Sequence, residues 1–270
     1  MARITINNLE YNFHRQGKGS PLVLLHGFTG CGQSWKNLDD SISSQVRCIT
    51  LDLPGHGQTE SSSKPERYAI ERTAEDVIAL ADELDLERFS LLGYSMGGRL
   101  ALYLAIHYPE RINALILESA SPGIADLDER KKRQEWDYAL AERIESEGIR
   151  SFVDWWEKLP LFASQTAVPE ERRARLRQER LNNNISGLAN SLRGMGTGSQ
   201  PSLWSKLPDL ELPTMLLCGE LDEKYVRINR EMAKAIPNSK LVIFQDAGHN
   251  IHFEQPEAFA ETLSHYLRRI

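Results

Sequence analysis

The sequence predicts an α/β fold: a mostly parallel sheet with helices on both faces and one helical insertion. Three observations lead there. Short apolar runs alternate along the chain with segments whose apolar residues recur at helical spacing, the pattern of parallel strands covered on both sides. The alternation stops between Pro122 and Ser205, where no period-2 run occurs. A Gly-x-Ser-x-Gly pentapeptide, Gly93 to Gly97, falls where an apolar run ends and a helical segment begins.

Each element has its own justification. Residues 3–7 and 9–15 meet at Asn7-Asn8 and read as a short hairpin. Residues 22–25 and 46–52 are apolar strands. Residues 73–84 carry Val77, Leu80, Ala81 and Leu84 at helical spacing. Residues 89–93 form the next strand. A helix follows over 96–108 and ends at Pro109, which cannot continue it. Strands at 112–119, 214–218 and 241–245 and helices at 226–235 and 256–269 complete the set. Between two of those strands, residues 122–205 are rich in Glu, Arg, Leu and Trp at helical spacing, most clearly over 133–147 and 170–181. The expected organisation is a core of residues 1–121 and 206–270, with 122–205 as a helical cap over the carboxyl edge of the sheet. Arg172, Arg173, Arg175, Arg177 and Arg180 come close together in the cap, and most of them read as a solvated helix face.

Composition narrows the function. A chain of 270 residues can bury a core that needs no staples. Its net charge of −6 makes it a poor general binder of nucleic acid, which requires a basic stripe. Cys31, Cys48 and Cys218 are odd in number and lack metal-ligand spacing, so they read as reduced core residues. No metal or cofactor is expected. Residues 1–11 alternate polar and apolar residues, unlike a signal peptide, and no apolar run approaches the ~20 residues of a membrane helix. The expectation is a cytoplasmic protein with a small-molecule partner; oligomeric state is open.

The chemistry gathers at predicted strand ends. The turn of Gly93-Tyr94-Ser95-Met96-Gly97 is tight, so small residues flank it, and it lifts the serine oxygen above the sheet. A serine needs a base. Of seven histidines, His249 follows the last strand in Ala247-Gly248-His249-Asn250. His252 is the rival, though Ile251 and Phe253 beside it suggest a packed residue. The base needs a carboxylate to fix its tautomer. Asp222 follows strand 214–218, with Glu220 and Glu223 as alternatives. The order Ser95, Asp222, His249 is the one expected of the α/β-hydrolase fold. His26-Gly27-Phe28 follows strand 22–25, so the Phe28 and Met96 N–H groups are the expected oxyanion hole. His26 and His56, each in a Gly-containing turn, read as buried supports.

Several segments resemble one family within this superfamily. They are Leu25-His26-Gly27-Phe28-Thr29-Gly30, Gly93-Tyr94-Ser95-Met96-Gly97-Gly98-Arg99 and Glu118-Ser119-Ala120-Ser121-Pro122-Gly123. In the cap come Asn182-Asn183-Asn184 and Leu192-Arg193-Gly194-Met195-Gly196-Thr197-Gly198. Together they look like the 2-succinyl-6-hydroxy-2,4-cyclohexadiene-1-carboxylate synthases of menaquinone and phylloquinone biosynthesis. The likeness covers essentially the whole chain. The triad motifs are common to the superfamily; Arg99 and the cap motifs discriminate.

The resemblance implies a lyase. The family removes a ring proton next to a succinyl carbonyl, and the resulting dienolate expels pyruvate, with no acyl-enzyme. Such a polycarboxylate calls for arginines, whose forked donors match carboxylates. Arg99, one helical turn past Ser95, is placed to reach the site; a salt bridge on the helix surface is its alternative. The resemblance also points to Tyr94, Arg133, Arg180 and one of Trp155 or Trp156. The rival readings are a serine esterase, thioesterase or carbon–carbon bond hydrolase using the same triad, and a ligand-sensing receptor on the same fold. A haloalkane dehalogenase or epoxide hydrolase is disfavoured, because those carry a carboxylate where Ser95 stands.

Overall fold

The computed structural model describes residues 2–269. In chain order the elements begin with β1 (Ala2–Ile6), β2 (Leu9–Gly17), β3 (Ser20–Leu25), α1 (Lys36–Ile42), β4 (Val46–Leu51) and α2 (Ile70–Glu83). Next come β5 (Phe89–Tyr94), α3 (Met96–His107), β6 (Ile112–Glu118), α4 (Leu127–Trp156), α5 (Glu170–Leu181) and α6 (Ile185–Met195). The chain closes with β7 (Thr214–Gly219), α7 (Glu223–Ala235), β8 (Ser239–Phe244), α8 (Ile251–Glu254) and α9 (Pro256–Leu267). The strands form one sheet in the order β1-β2-β4-β3-β5-β6-β7-β8. The β1–β2 and β2–β4 pairs are antiparallel and every other pair is parallel. Asn7 and Asn8 take φ of 47° and 62° at the hairpin turn, a left-handed pair that asparagine tolerates better than most residues.

The apolar strands bury both faces because successive side chains point to opposite sides. Val23, Leu25, Leu91 and Leu117 join one core with Val77 and Leu80 of α2 and Leu100 and Leu104 of α3. Their neighbours Leu22, Leu24, Leu92 and Ile116 join the other, with Leu38 and Ile42 of α1 and Phe259 and Leu263 of α9. This mostly parallel sheet with helices on both faces is the architecture the sequence predicts. Strands β3 to β8 all run the same way, so the loops after Leu25, Leu51, Tyr94, Glu118, Gly219 and Phe244 open on one edge. Sites of open α/β sheets collect at that edge.

Residues 122–205 contribute α4, α5 and α6 and, among the described residues, no strand. The helical pattern at 133–147 lies inside the much longer α4, which Gly148 breaks at φ 79° and ψ 166°. Leu140, Ile144, Phe152 and Val153 of α4 pack on Leu188, Ala189 and Leu192 of α6, and Phe28 from the sheet edge packs against this cluster. Helix α6 escapes the periodicity reading because Gly, Asn and Ser fill the spaces between its apolar residues. Its N-terminus is nonetheless capped, with the Asn184 side chain accepting the Gly187 N–H at 2.8 Å. No helix among the described residues is long and apolar enough to cross a membrane.

Candidate active site

The β5–α3 turn is built by close approach. A Cβ on Gly97 would lie 2.1 Å from the Leu25 carbonyl oxygen, so only glycine lets α3 start this near β3. Ser95 takes φ 49° and ψ −105°, and its N–H donates to the Glu118 carbonyl at 2.8 Å. From Phe89 to Ala105 every other residue is buried; Ser95 alone is partly open. The backbone at this corner turns the hydroxyl outward.

His249 and Asp222 reach the same point from the loops after β8 and β7. Asp222 Oδ2 lies 2.6 Å from His249 Nδ1. A carboxylate can only accept, so Nδ1 carries the hydrogen and Nε2 is left as an acceptor. Ser95 Oγ stands 3.0 Å from that Nε2. Asp222 also caps α7, its Oδ1 accepting the Tyr225 N–H at 3.3 Å. Rings of Tyr225, Tyr94 and Phe162 wall the imidazole at centroid distances of 4.6, 5.4 and 6.4 Å. The alternatives stand elsewhere. Glu220 and Glu223 are exposed. His252 pairs with Glu118 at 2.6 Å and stacks on Trp35 at 4.2 Å.

Phe28 sits just past β3, and Met96 is the first residue of α3, where unpaired amides favour developing negative charge. Two buried histidines brace these loops. His26 Nε2 accepts the Leu53 N–H at 2.9 Å, which leaves Nδ1–H to donate to the Gly27 carbonyl at 2.8 Å. His56 donates to the Pro54 carbonyl at 3.0 Å. Burial pushes His26 down to about 4 and His56 to about 3, the latter helped by His26 beside it, so both are neutral supports.

The arginines differ in exposure. Arg99 is 7% exposed. It donates to the Met195 carbonyl at 2.9 Å and to the Gln200 side-chain oxygen. Its alternative, a surface salt bridge, is therefore excluded by burial. Both acceptors are neutral, so its charge is not cancelled by direct contact. Burial, with Arg133 second to it among the lowering influences, pushes the guanidinium down to about 10, while Tyr225 and Asp137 oppose the fall. Arg133 pairs with Asp137 at 2.8 Å and lies over Trp136. Arg180 is buried over the Phe162 ring, 5.1 Å to the centroid, and pairs with Glu157 at 3.0 Å. Arg177 shares that glutamate at 2.6 Å, Arg172 donates to the Phe253 carbonyl at 3.2 Å and Arg173 to the Val168 carbonyl at 3.0 Å. Of the five clustered arginines, Arg173 and Arg175 are exposed and fit the solvated-face reading, Arg172 and Arg177 are half-buried, and Arg180 is buried. Trp156 packs edge-on against Phe28 at 5.4 Å. Trp155 lies under the Arg143 guanidinium at 4.3 Å.

Gln165 escaped the sequence reading, and the structure groups it with two residues that the resemblance names, Trp156 and Arg180. Trp156 Nε1, Gln165 Nε2 and Arg180 Nε are buried donors with no hydrogen-bond partner among the described residues. All three belong to side chains gathered round Phe162, and Arg180 also reaches Gln165 Oε1 at 3.5 Å. Tyr225 was hidden too. Burial raises its phenol, with Arg99 and Arg133 opposing the rise, so it stays a protonated donor. Neither Gln165, between Ser164 and Thr166, nor Tyr225, between Lys224 and Val226, belongs to a motif or a periodic run, so only packing could single them out. The cap motifs turn out to be braces. Asn183 donates to the Thr29 carbonyl at 2.8 Å and accepts the Gly57 N–H at 3.0 Å, tying α5 to the loops of Phe28 and His56.

The sheet, the elbow and the Ser–His–Asp contact define a class, and the chain belongs to it: residues 20–256 match the model of the alpha/beta hydrolase fold family. A putative 2-succinyl-6-hydroxy-2,4-cyclohexadiene-1-carboxylate synthase of Bacillus subtilis (strain 168) is 47% identical over 249 residues, 92% of this chain and 90% of that protein. The synthase of the same name from Serratia proteamaculans (strain 568) is 33% identical over 247 residues, 91% of this chain and 92% of that one. The solved structure of MenH from S. aureus superposes with a TM-score of 0.91 at 39% identity, covering 96% of this chain and 98% of that one. The chain is a member of the 2-succinyl-6-hydroxy-2,4-cyclohexadiene-1-carboxylate synthase family.

Proposed function

We propose that the protein is a carbon–oxygen lyase that eliminates pyruvate from 2-succinyl-5-enolpyruvyl-6-hydroxy-3-cyclohexene-1-carboxylate, giving 2-succinyl-6-hydroxy-2,4-cyclohexadiene-1-carboxylate, a step of menaquinone or phylloquinone biosynthesis. Family membership at 47% identity carries the reaction; the contact of Ser95 with His249 carries the mechanism. His249 takes the Ser95 proton as Ser95 Oγ removes the ring proton next to the succinyl carbonyl. The C–H electrons pass into the ring and onto that carbonyl, whose oxygen the Phe28 and Met96 N–H groups stabilise. They return to form the second ring double bond as the C–O bond to the enolpyruvyl group breaks. The departing enol becomes pyruvate by gaining a proton at its methylene carbon. Asp222 holds the tautomer and stabilises the imidazolium.

Recognition follows the placement of donors. Arg99, Tyr225 and Arg133 form one cationic wall, and Arg180, Gln165 and Trp156 form another, so a substrate with carboxylates at both ends can span Ser95. Tyr94 completes the floor beside His249. Residues 122–205 act as the cap that supplies the second wall and keeps water from the dienolate. No cofactor takes part, and the reading puts the enzyme in the cytoplasm. Incubation with the enolpyruvyl substrate should release pyruvate, followed by coupled reduction to lactate, in step with the absorbance of a conjugated diene. Fast cleavage of p-nitrophenyl acetate with no pyruvate from the enolpyruvyl substrate would replace this reading with a serine esterase.

A further inference from the structure

We propose that Glu118 is a positioning residue: one buried side chain sets the separation between the Ser95 turn and the His249 loop. The inference rests on the reading of Ser95 and His249 as the proton-transfer pair. Glu118 ends β6 beside Tyr94 in the parallel register and is fully buried. Its backbone carbonyl accepts the Ser95 N–H at 2.8 Å. Its carboxylate faces the other loop: Oε1 accepts the His252 N–H at 3.0 Å, and Oε2 lies 2.6 Å from His252 Nδ1. His252 stands three residues past His249. Its ring is clamped by Trp35, stacked at 4.2 Å, and by Tyr94, edge-on at 5.1 Å.

The other side of the histidine is held in the same way. Glu254 Oε2 accepts the Gly248 N–H at 2.7 Å and Oε1 the Asn250 N–H at 3.3 Å, so a carboxylate grips the backbone on both flanks of His249. Glu118, however, is hydrogen-bonded to both segments, its backbone to the Ser95 turn and its side chain to His252. A buried carboxylate is costly unless its bonds are made, and packing at the end of β6 would be served as well by an apolar side chain. What an apolar residue cannot do is bond the His252 backbone and ring together. The Ser95–His249 contact needs such control, because a displacement of about 1 Å costs on the order of 100-fold in rate.

Two variants test this. Glu118→Gln can keep both contacts, its oxygen accepting the His252 N–H and its amide donating to Nδ1, and should retain kcat within about 3-fold. The double variant E118L/H252L removes both partners, so no charge is left unpaired. Once shown folded by near-ultraviolet circular dichroism, it should lose about 10- to 100-fold in kcat with KM within about 2-fold. Sulfonylation of Ser95 by phenylmethylsulfonyl fluoride should slow to a similar degree. A folded double variant with wild-type kcat and sulfonylation, or one whose loss lies in KM, overturns the proposal. Should it not fold, His252→Asn, which shortens the donor, is read by the same two assays and the same outcomes. Sulfonylation needs no enolpyruvyl substrate, so it decides the proposal even if the wild-type protein releases no pyruvate and the lyase reading fails.

Discussion

Ser95 occupies backbone angles that few residues adopt, and such strain is held by its surroundings and concentrates at reacting positions. Its hydroxyl makes little of the fold, so Ser95→Ala should leave the thermal unfolding midpoint within about 2 °C while pyruvate release falls by at least about 100-fold. Arg99 is different, because on the proposed reading it joins recognition to structure. Arg99→Ala should weaken kcat/KM by about 10- to 150-fold through the lost charge-assisted bond. It should also lower the unfolding midpoint, since the Met195 carbonyl and Gln200 lose their donor. Arg99→Lys should recover only part, for want of the fork. If turnover of a neutral ester suffers equally, Arg99 supports the elbow and does not read carboxylates. Gln165 offers the reverse pattern. Its amide N–H has no partner among the described residues, so Gln165→Leu relieves an unsatisfied donor. KM should rise about 10-fold while the melting midpoint is kept or raised; a lower midpoint with unchanged KM means that Gln165 only holds Arg180.

The elements divide their work at the sheet edge. Six parallel strands deliver loops to one side, and α3 begins so close to β3 that Gly97 admits no side chain. The helices of residues 122–205 meet that edge through one residue in particular. Asn183 bonds both the Thr29 carbonyl and the Gly57 N–H, so α5 and the Phe28 loop move together. Asn183→Ala strands a backbone donor and acceptor, at a cost of about 1–3 kcal/mol. Thermal unfolding should begin several degrees lower, and kcat should fall further than stability alone explains, because the Phe28 N–H is displaced. Unchanged kcat in a destabilised protein would show that the loop holds its place without α5.

At the scale of the whole molecule, two neutral buried histidines link stability to acidity. His26 and His56 titrate near 6.5 when unfolded, and burial lowers them to about 4 and about 3 in the fold. Between these values the unfolded chain binds protons that the native one does not. Stability is thus fully present above about pH 6.5 and is lost as pH falls toward 4. A tenfold difference in proton affinity between the two states corresponds to roughly 1.4 kcal/mol, so the two histidines together account for on the order of several kcal/mol, with the loss from His56 continuing to about pH 3. Calorimetric scans at successive pH values should show the midpoint dropping steadily through that window. A midpoint that stays level down to pH 4.5 would mean that neither histidine is held neutral.

Much of this protein could be read from its chain. Apolar runs of four residues such as 22–25, 114–117, 215–218 and 241–244 have no stable place except a sheet covered on both sides, so the strands follow from local pattern. The elbow, the acid loop and the histidine loop each adjoin such a run, and their bearing on one another follows from every parallel strand ending at the same edge. Local pattern stops where packing decides. Nothing in the sequence around Arg99 distinguishes a surface ion pair from a guanidinium sealed against Met195 and Gln200, since that depends on a segment about a hundred residues away. His249 and His252 lie three residues apart, one in the loop after β8 and the other in the short helix α8 that follows it. Which imidazole meets Ser95 and which meets Glu118 was settled by the register of β6 against β5 and the stacking of Trp35. Likewise Asn183 and Gln165 belong to no periodic pattern, because their partners come from other elements. The sequence determined what kind of sheet forms and which edge carries chemistry. The tertiary structure alone decided which polar side chains are buried together, because burial is a property of the assembled layers and not of any one of them.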